Sequence, residues 1–269
     1  MVRFAPLGMA TLGTIDRIER PSYEQFRDAY LEARVPVLVA GALDQWPALR
    51  RWDLEHIGRA IGSRRISPVI ADKGRWAVDV RAGMRTEEMD FSAYRAEIES
   101  GEVHHYLRLA LEGSFADLLA DEYETPIYCR KRLFMKKNLW VGSAESSSGL
   151  HYDMMHNVVA QIAGRRRVVL FAPEEARRLY AYPVRSLAWH HSPVRVEEPD
   201  LERFPDFARA RRIEVELGRG DLLFIPKGWW HHFTSLEDAI AINFFWVTKR
   251  LAPALALARA AWVLAGVRT

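Results

Sequence analysis

The first half of the chain alternates short amphipathic segments with compact apolar runs. Pro21 and Ser22 followed by Gln25 form a helix-start signature, because the Ser22 hydroxyl and the Gln25 amide can satisfy free backbone N–H groups reciprocally. This pattern predicts a helix to about residue 32. Further helices are predicted at residues 54–61 and 91–98, and strands at residues 36–40, 65–71, 76–80 and 103–109. The opening is therefore a mixed region of helices and strands.

From about residue 133 the pattern changes to apolar runs separated by Gly, Pro and Ser. The predicted strands cover residues 139–142, 157–162, 168–171, 213–217, 222–225 and 239–245. The intervening sequences GRGD at 218–221 and PKG at 226–228 supply the positive or fixed φ angles that tight corners require. Many short strands with such corners are typical of an antiparallel barrel or sandwich.

The length of the chain favours one domain. At 269 residues, with 49% hydrophobic and 27% charged residues, the composition is that of an ordinary globular protein with one substantial core. No composition break marks a linker, so we predict a tail over residues 1–20, one domain over 21–250 and a helix over 251–269. Pro253 and Arg259 interrupt that last segment, which is too short to span a membrane, so we expect it to pack against protein.

Charge and cysteine content restrict the class of protein further. The formal net charge is only +3, from 38 basic and 35 acidic residues, which argues against a dedicated nucleic-acid binder. The lone cysteine, Cys129, excludes an internal disulfide and fits a reducing compartment. Residues 1–14 lack the pattern of a signal peptide. We therefore expect a cytoplasmic protein.

The candidate chemistry starts from His151 and Asp153. Two residues apart on a strand, their side chains project from the same face and can bind one ion. The triplet alone is a weak signal, but His231 follows the predicted strand 222–225 and its corner, and can return beside the pair. Two histidines and one carboxylate on one face of a metal ion leave three positions open, as in non-haem Fe(II) oxygen chemistry.

Several motifs together resemble the Jumonji-C oxygenases. They are SGLHYD at 148–153, Asn157, QIAG at 161–164, and GDLLFIP through WHH over 220–232. The likeness is strongest to the cupin-like hydroxylase branch, which includes the asparaginyl hydroxylase that inhibits hypoxia-inducible factor. The segments YAYP at 180–183 and PDLERFP at 199–205 are also similar, so the resemblance extends over about residues 20–246.

The resemblance implies a double-stranded β-helix of the jelly-roll or cupin type, with an N-terminal α/β elaboration and a C-terminal helix. It also implies that Fe(II), 2-oxoglutarate and O2 are used, with succinate and CO2 as co-products. His151, Asp153 and His231 match the iron ligands of the family. The remaining matches are Tyr106 and Ser148 for the far carboxylate of 2-oxoglutarate, and Asn157 and Asn243 beside its near end.

One position departs from the family pattern. The lysine that binds the far carboxylate in the family falls on Arg166, and arginine needs a differently shaped pocket although it also binds carboxylates. A dianionic co-substrate needs a cation at some distance from the metal in any case. Arg165 or Arg167 could take this role after a small shift, so the sequence leaves the three alternatives open.

Other histidines have a structural interpretation. His231 and His232 point in opposite directions on a strand, so we assign His231 to the metal and expect its neighbour to make a structural hydrogen bond. We predict that His156, His190 and His191 are not ligands. They could line a substrate entrance, but packing or surface positions are the commoner role.

Three functions follow in order of preference. The first is hydroxylation of a peptide or protein side chain, and the second is oxidation of a small molecule or modified nucleoside, with demethylation behind both. A non-catalytic cupin-like module that binds a metal is the alternative of another class. In the resembled hydroxylases a C-terminal helical region forms a dimer, so residues 251–269 are a candidate dimer interface. Met155 and Val159 differ from the asparaginyl hydroxylase, so its asparagine pocket is not expected here.

Overall fold

The structure is a computed structural model that describes residues 13–72, 75–76, 78–79, 83–101, 104–130 and 132–248. Within these ranges the strands are β1 Asp16–Glu19, β2 Val37–Ala40, β3 Val69–Asp72, β4 Arg75–Trp76, β5 Val78–Asp79, β6 Gly83–Met84, β7 His105–Ala110, β8 Arg132–Gly142, β9 His151–Tyr152, β10 His156–Ala163, β11 Arg166–Phe171, β12 Arg212–Leu217, β13 Leu222–Ile225, β14 Trp230–Ser235 and β15 Ala239–Thr248. The α-helices are α1 Tyr23–Phe26, α2 Ala48–Arg51, α3 Leu54–Ile61 and α4 Phe91–Ser100.

Two facing sheets form the body of the protein. The larger sheet has the strand order β1-β2-β13-β10-β15-β8-β7-β3-β4, and the smaller has the order β12-β11-β14-β9. Most neighbouring strands run antiparallel; β1 pairs with β2 in parallel. This mostly β architecture with few helices is the predicted cupin or jelly-roll fold.

Alternate residues along the strands of the larger sheet pack into two different hydrophobic cores, one on each face of the sheet. Val158 and Phe224 pack on one face with the helices, against residues such as Phe26 and Ile57. Val159 and Leu223 pack on the other face, in the space between the two sheets. A strand buried on both sides reads as a continuous apolar run, which explains why these segments are so hydrophobic. The predicted site residues also lie in this space between the sheets, where they line a cavity together with Val159.

The N-terminal elements agree with their local signals. Ser22 and Gln25 form the expected capping box at 2.8 and 3.1 Å, and α1 continues as a π-helical turn over Arg27–Leu31. The structure differs from the tail predicted over residues 1–20, because residues 16–19 form β1 at the edge of the larger sheet. The predicted helix at 251–269 lies outside the described residues. No helix in the described part of the chain is long and apolar enough to cross a membrane.

Phe224 should be a main determinant of stability. Its ring is fully buried and lies 4.8 Å from the ring of Phe26 and 5.9 Å from that of Trp246, centroid to centroid. We expect Phe224→Ala to lower the free energy of unfolding by about 3–5 kcal/mol in urea titration, because it leaves a cavity. Leu201→Ala, at an exposed position, should change it by less than about 0.5 kcal/mol. Equal effects of the two substitutions would contradict this description of the core.

Candidate active site

Three side chains meet where the smaller sheet faces the larger one. The pairing of β14 with β9 sets His231 directly opposite His151, and their ring centroids are 4.3 Å apart. Asp153 follows β9, and its Oδ2 lies 3.4 Å from Nε2 of His231. One ligand atom from each of the three residues lies within 4.8 Å of the other two, so the group can hold a metal ion.

Backbone contacts orient both imidazole rings. Nδ1 of His151 lies 2.7 Å from the carbonyl oxygen of Gly149, and Nδ1 of His231 lies 3.0 Å from that of Trp229. Donation from each Nδ1–H leaves the Nε2 lone pair free to bind a metal. Burial, followed by the neighbouring His231 and His191 rings, holds the pKa of His151 well below its usual range. The ring is therefore neutral near pH 7, which is the form that binds metals.

The carboxylate of Asp153 fits a cation. Its Oδ2 atom is buried and has no hydrogen-bond partner in the described part of the chain. A buried carboxylate oxygen without a partner is costly unless a cation satisfies it. Together with the Nε2 atoms of His151 and His231, this atom completes a donor set of two nitrogens and one oxygen that suits Fe(II).

His232 is directed away from this group. Its Nε2 forms a short hydrogen bond with Glu197 and lies 3.1 Å from the hydroxyl of Thr234, which donates to the same carboxylate at 2.7 Å. Burial raises the pKa of Glu197, but the charge and hydrogen bond of His232 outweigh it and hold the pKa at about 2. As the sequence suggested, this histidine makes a structural contact.

A buried cation lies in the same cavity as the three ligands. The Arg166 guanidinium donates to Gln161 at 2.6 Å and lies 4.9 Å from the Phe233 ring centroid, and Tyr106 also hydrogen-bonds it. Its Nη2 atom is buried without a partner among the described residues. Burial lowers its pKa from the usual arginine range and Tyr106 opposes this, so the group stays charged. The guanidinium is therefore available for an anionic ligand.

Arg165 and Arg167, the sequence neighbours of Arg166, do not line the cavity. Arg165 is half exposed and forms ion pairs with Glu216 and Glu237 at 2.9 and 2.6 Å. Arg167 pairs with Glu214 at 2.8 Å. Because β11 alternates its side chains, only Arg166 lines the cavity. Of the three alternatives that the sequence left open, Arg166 is therefore the one that lies in the cavity of the candidate ligands.

Buried amides line the wall of the larger sheet. The Asn243 side chain donates to Asn157 at 2.9 Å and accepts hydrogen bonds from Asn138 and Trp140 at 3.0 and 2.8 Å. On the smaller sheet, the Ser148 hydroxyl accepts from the backbone of Phe233 at 3.0 Å. These contacts fix the amide and hydroxyl groups without engaging all of their hydrogen-bonding capacity.

All of the predicted site residues line one cavity of about 280 Å³. They are His151, Asp153, His231, Tyr106, Ser148, Asn157, Arg166 and Asn243. The cavity is large enough for a small organic acid beside a metal ion, and one end remains open for a second molecule.

Comparison with known proteins agrees with this geometry. The family model of the cupin-like domain matches residues 23–250 of the chain. This chain belongs to the cupin-like domain family. Its relatives are Jumonji-C oxygenases, so the resemblance seen in the sequence is confirmed.

Individual relatives differ in function. Lysine-specific demethylase 8 of Xenopus tropicalis is 32% identical over 238 residues, which cover 86% of this chain and 52% of the relative. The tRNA wybutosine-synthesizing protein 5 of Homo sapiens is 28% identical over 249 residues, covering 86% and 77%, and that of Gallus gallus is 30% identical, covering 87% and 76%. The chain thus spans only about half the length of its demethylase relative.

The fold also brings in residues that the sequence did not assign to the site, although His190 and His191 were left as candidates for lining a substrate entrance. His191 pairs with His151 through an isolated β-bridge and stacks on its ring at 5.1 Å, and both His190 and His191 line the cavity. Asn138 and Trp140 support Asn243 from the neighbouring strand. Adjacent histidines are visible in the sequence, but their position depends on how the long segment between β11 and β12 folds back.

The adjacent histidines give a matched test of the metal site. We expect His231→Ala to reduce the Mn(II) retained after desalting from one ion per chain to almost none, measured by elemental analysis. His232→Ala should retain the ion but lower the free energy of unfolding by roughly 1–3 kcal/mol, because Glu197 loses its buried partner. Loss of the ion in both variants, or only in His232→Ala, would contradict the assignment.

Proposed function

We propose that this protein is an Fe(II)- and 2-oxoglutarate-dependent oxygenase that hydroxylates a peptide or protein side chain. One oxygen atom of O2 enters the substrate and the other enters succinate, with release of CO2. The observation that carries the proposal is one cavity that contains both the group His151, Asp153 and His231 and the partly unpaired buried guanidinium of Arg166. Members of the Jumonji-C family are typically oxygenases of this kind.

The charges in the cavity support this co-substrate. A ferrous ion bound by one carboxylate keeps one positive charge, and Arg166 adds a second in a buried environment. Two positive charges match the dianion of 2-oxoglutarate, whose carboxylates lie at opposite ends of the molecule. Burial without such a ligand would leave both Asp153 Oδ2 and Arg166 Nη2 unsatisfied.

Each residue has a distinct task. His151, His231 and Asp153 would hold the iron and leave positions open for the keto acid and O2. Bound ferrous iron supplies the site at which O2 is activated. Arg166, with Tyr106 and Ser148, would bind the far carboxylate, while Asn157 and Asn243 orient its near end. Val159 and Phe233 line the cavity and limit the access of water.

The names of the relatives support a second candidate. The relatives from Homo sapiens and Gallus gallus are named as tRNA wybutosine-synthesizing proteins, so oxidation of a modified nucleoside is the alternative activity. Demethylation, suggested by the lysine-specific demethylase name, ranks third. A cytoplasmic location and a homodimer formed through residues 251–269 stay predictions.

Release of succinate separates an enzyme from a metal-binding module. We expect the purified protein to convert 2-oxoglutarate slowly to succinate in the presence of Fe(II) and O2, even without its substrate, measured by mass spectrometry. His151→Ala should abolish this conversion, and His232→Ala should retain it. A metal-loaded protein that neither binds nor decarboxylates 2-oxoglutarate would refute the proposal.

Neighbouring arginines test the binding of the far carboxylate. We expect Arg166→Gln to raise the Kd for 2-oxoglutarate by about 30-fold or more, because loss of one partner of a buried charge pair typically costs about 2–5 kcal/mol. Arg165→Gln should leave the Kd almost unchanged, since Arg165 is half exposed and paired outside the cavity. Calorimetric titration of the Mn(II)-loaded proteins measures both values. A larger effect at Arg165 would show that the cation has been misassigned.

A further inference from the structure

Two cations lie at the open end of the cavity, away from the residues used above. Arg108 on β7 and Lys136 on β8 both line the cavity and are exposed. The register of these strands sets Arg108 opposite Trp140 and Ala110 opposite Asn138. Residues 136, 138 and 140 of β8 therefore share the face that carries Asn138 and Trp140. Both side chains extend from the same wall toward the substrate entrance.

These cations have no ion-pair or hydrogen-bond partner in the ranges that the structure describes. Most described arginines behave differently: Arg165 and Arg167, for example, are paired with glutamates. Asp153 and Glu112 are the carboxylates whose charges act on Arg108. A metal ion bound to Asp153 would neutralise one of them. Arg108 and Lys136 would then outnumber the remaining carboxylate, Glu112, which leaves this part of the cavity with an excess positive charge.

We propose that Arg108 and Lys136 bind a carboxylate of the substrate and so place the carbon that is oxidised beside the metal. This inference rests on the proposed function. A guanidinium binds a carboxylate bidentately, and an ammonium adds a second charge from the neighbouring strand. The apolar side chains of Met155 and Phe245 line the same cavity and can contact the aliphatic part of such a substrate.

A single carboxylate fits this entrance better than a nucleic acid does. Lys136 and its neighbour Lys137 do not form one surface, because Lys137 lies on the opposite face of β8 and contacts the Tyr123 hydroxyl at 3.1 Å. Nucleic-acid binding depends on several cations that follow successive phosphates. We therefore assign the two cations to one acidic group.

A peptide array can test this assignment on the full chain loaded with Mn(II) and 2-oxoglutarate, which support binding without turnover. Each peptide that contains Asp or Glu is matched with two otherwise identical peptides, one with Asn or Gln and one with Lys at that position. Among the peptides that bind, we expect the affinity for the acidic peptide to exceed that for its neutral counterpart by about fivefold or more. A partly exposed charge pair contributes about 1 kcal/mol, which corresponds to this ratio. Arg108→Glu should invert the preference toward peptides with Lys at the same position.

Arg130→Glu is the matched control, because Arg130 is exposed, carries the same charge and is not among the residues that line the cavity. It should keep the preference of the original protein. Lys136→Gln should weaken the preference, and thermal unfolding will verify that all variants are folded. If free N-acetylglutamate displaces the acidic peptides and binds as tightly as they do, the result supports the same carboxylate recognition with a free acid as the ligand.

Several outcomes would overturn the inference. They are an unchanged preference in Arg108→Glu, an equal loss in Arg130→Glu, or tight binding of a single-stranded oligonucleotide that Arg108→Glu abolishes. Retention of Mn(II) and 2-oxoglutarate is measured first on the same samples. If they bind and the acidic preference is absent, only this inference fails, whereas failure of either to bind refutes the proposed function itself.

Discussion

The site depends on a very short strand pairing. Only two residues of β9, His151 and Tyr152, pair with β14, yet this pairing sets His151 opposite His231 and turns both rings toward the larger sheet. A shift of one residue in this register would move His232 into the cavity and His231 out of it. β14 is itself held by six residue pairs with β11, so the position of His231 is determined by a long, buried strand pairing.

The same register explains the electrostatics of the cavity. One strand pairing places the Asp153 oxygen beside His151 and His231, and β11 places the Arg166 guanidinium in the same cavity. Each has one buried atom with no partner in the described part of the chain, and the two atoms carry opposite charge. Fixed groups of this kind cost stability without ligands and lose little freedom when ligands bind, which is how a preorganised site is built.

Local patterns predicted much of this arrangement. The helix over residues 54–61 and the strand over 222–225 have the bounds expected from their apolar pattern, because packing and local preference agree there. The strand predicted at 139–142 begins earlier, at Arg132, since the adjacent lysines at 136 and 137 hid a strand whose two faces meet different surroundings. β1 was missed because the sequence DRIE has no apolar alternation and its pairing with β2 is long-range.

The candidate site could likewise be predicted only in part from local sequence patterns. The metal group could be predicted from residue types and spacing, whereas the choice of Arg166 over its neighbours required the alternation of β11. The positions of His190 and His191 depend on a loop of irregular backbone, and Arg108 becomes relevant only when β7 and β8 are aligned. Sequence patterns report which face of an element a residue occupies, but not which elements share a cavity.

Binding of one ion by these three side chains can be tested most directly by anomalous diffraction from crystals grown with Mn(II). We expect a single strong anomalous peak within about 2.4 Å of Nε2 of His151, Nε2 of His231 and a carboxylate oxygen of Asp153. A peak bound by other residues, or one that contacts only one member of the three, would contradict it.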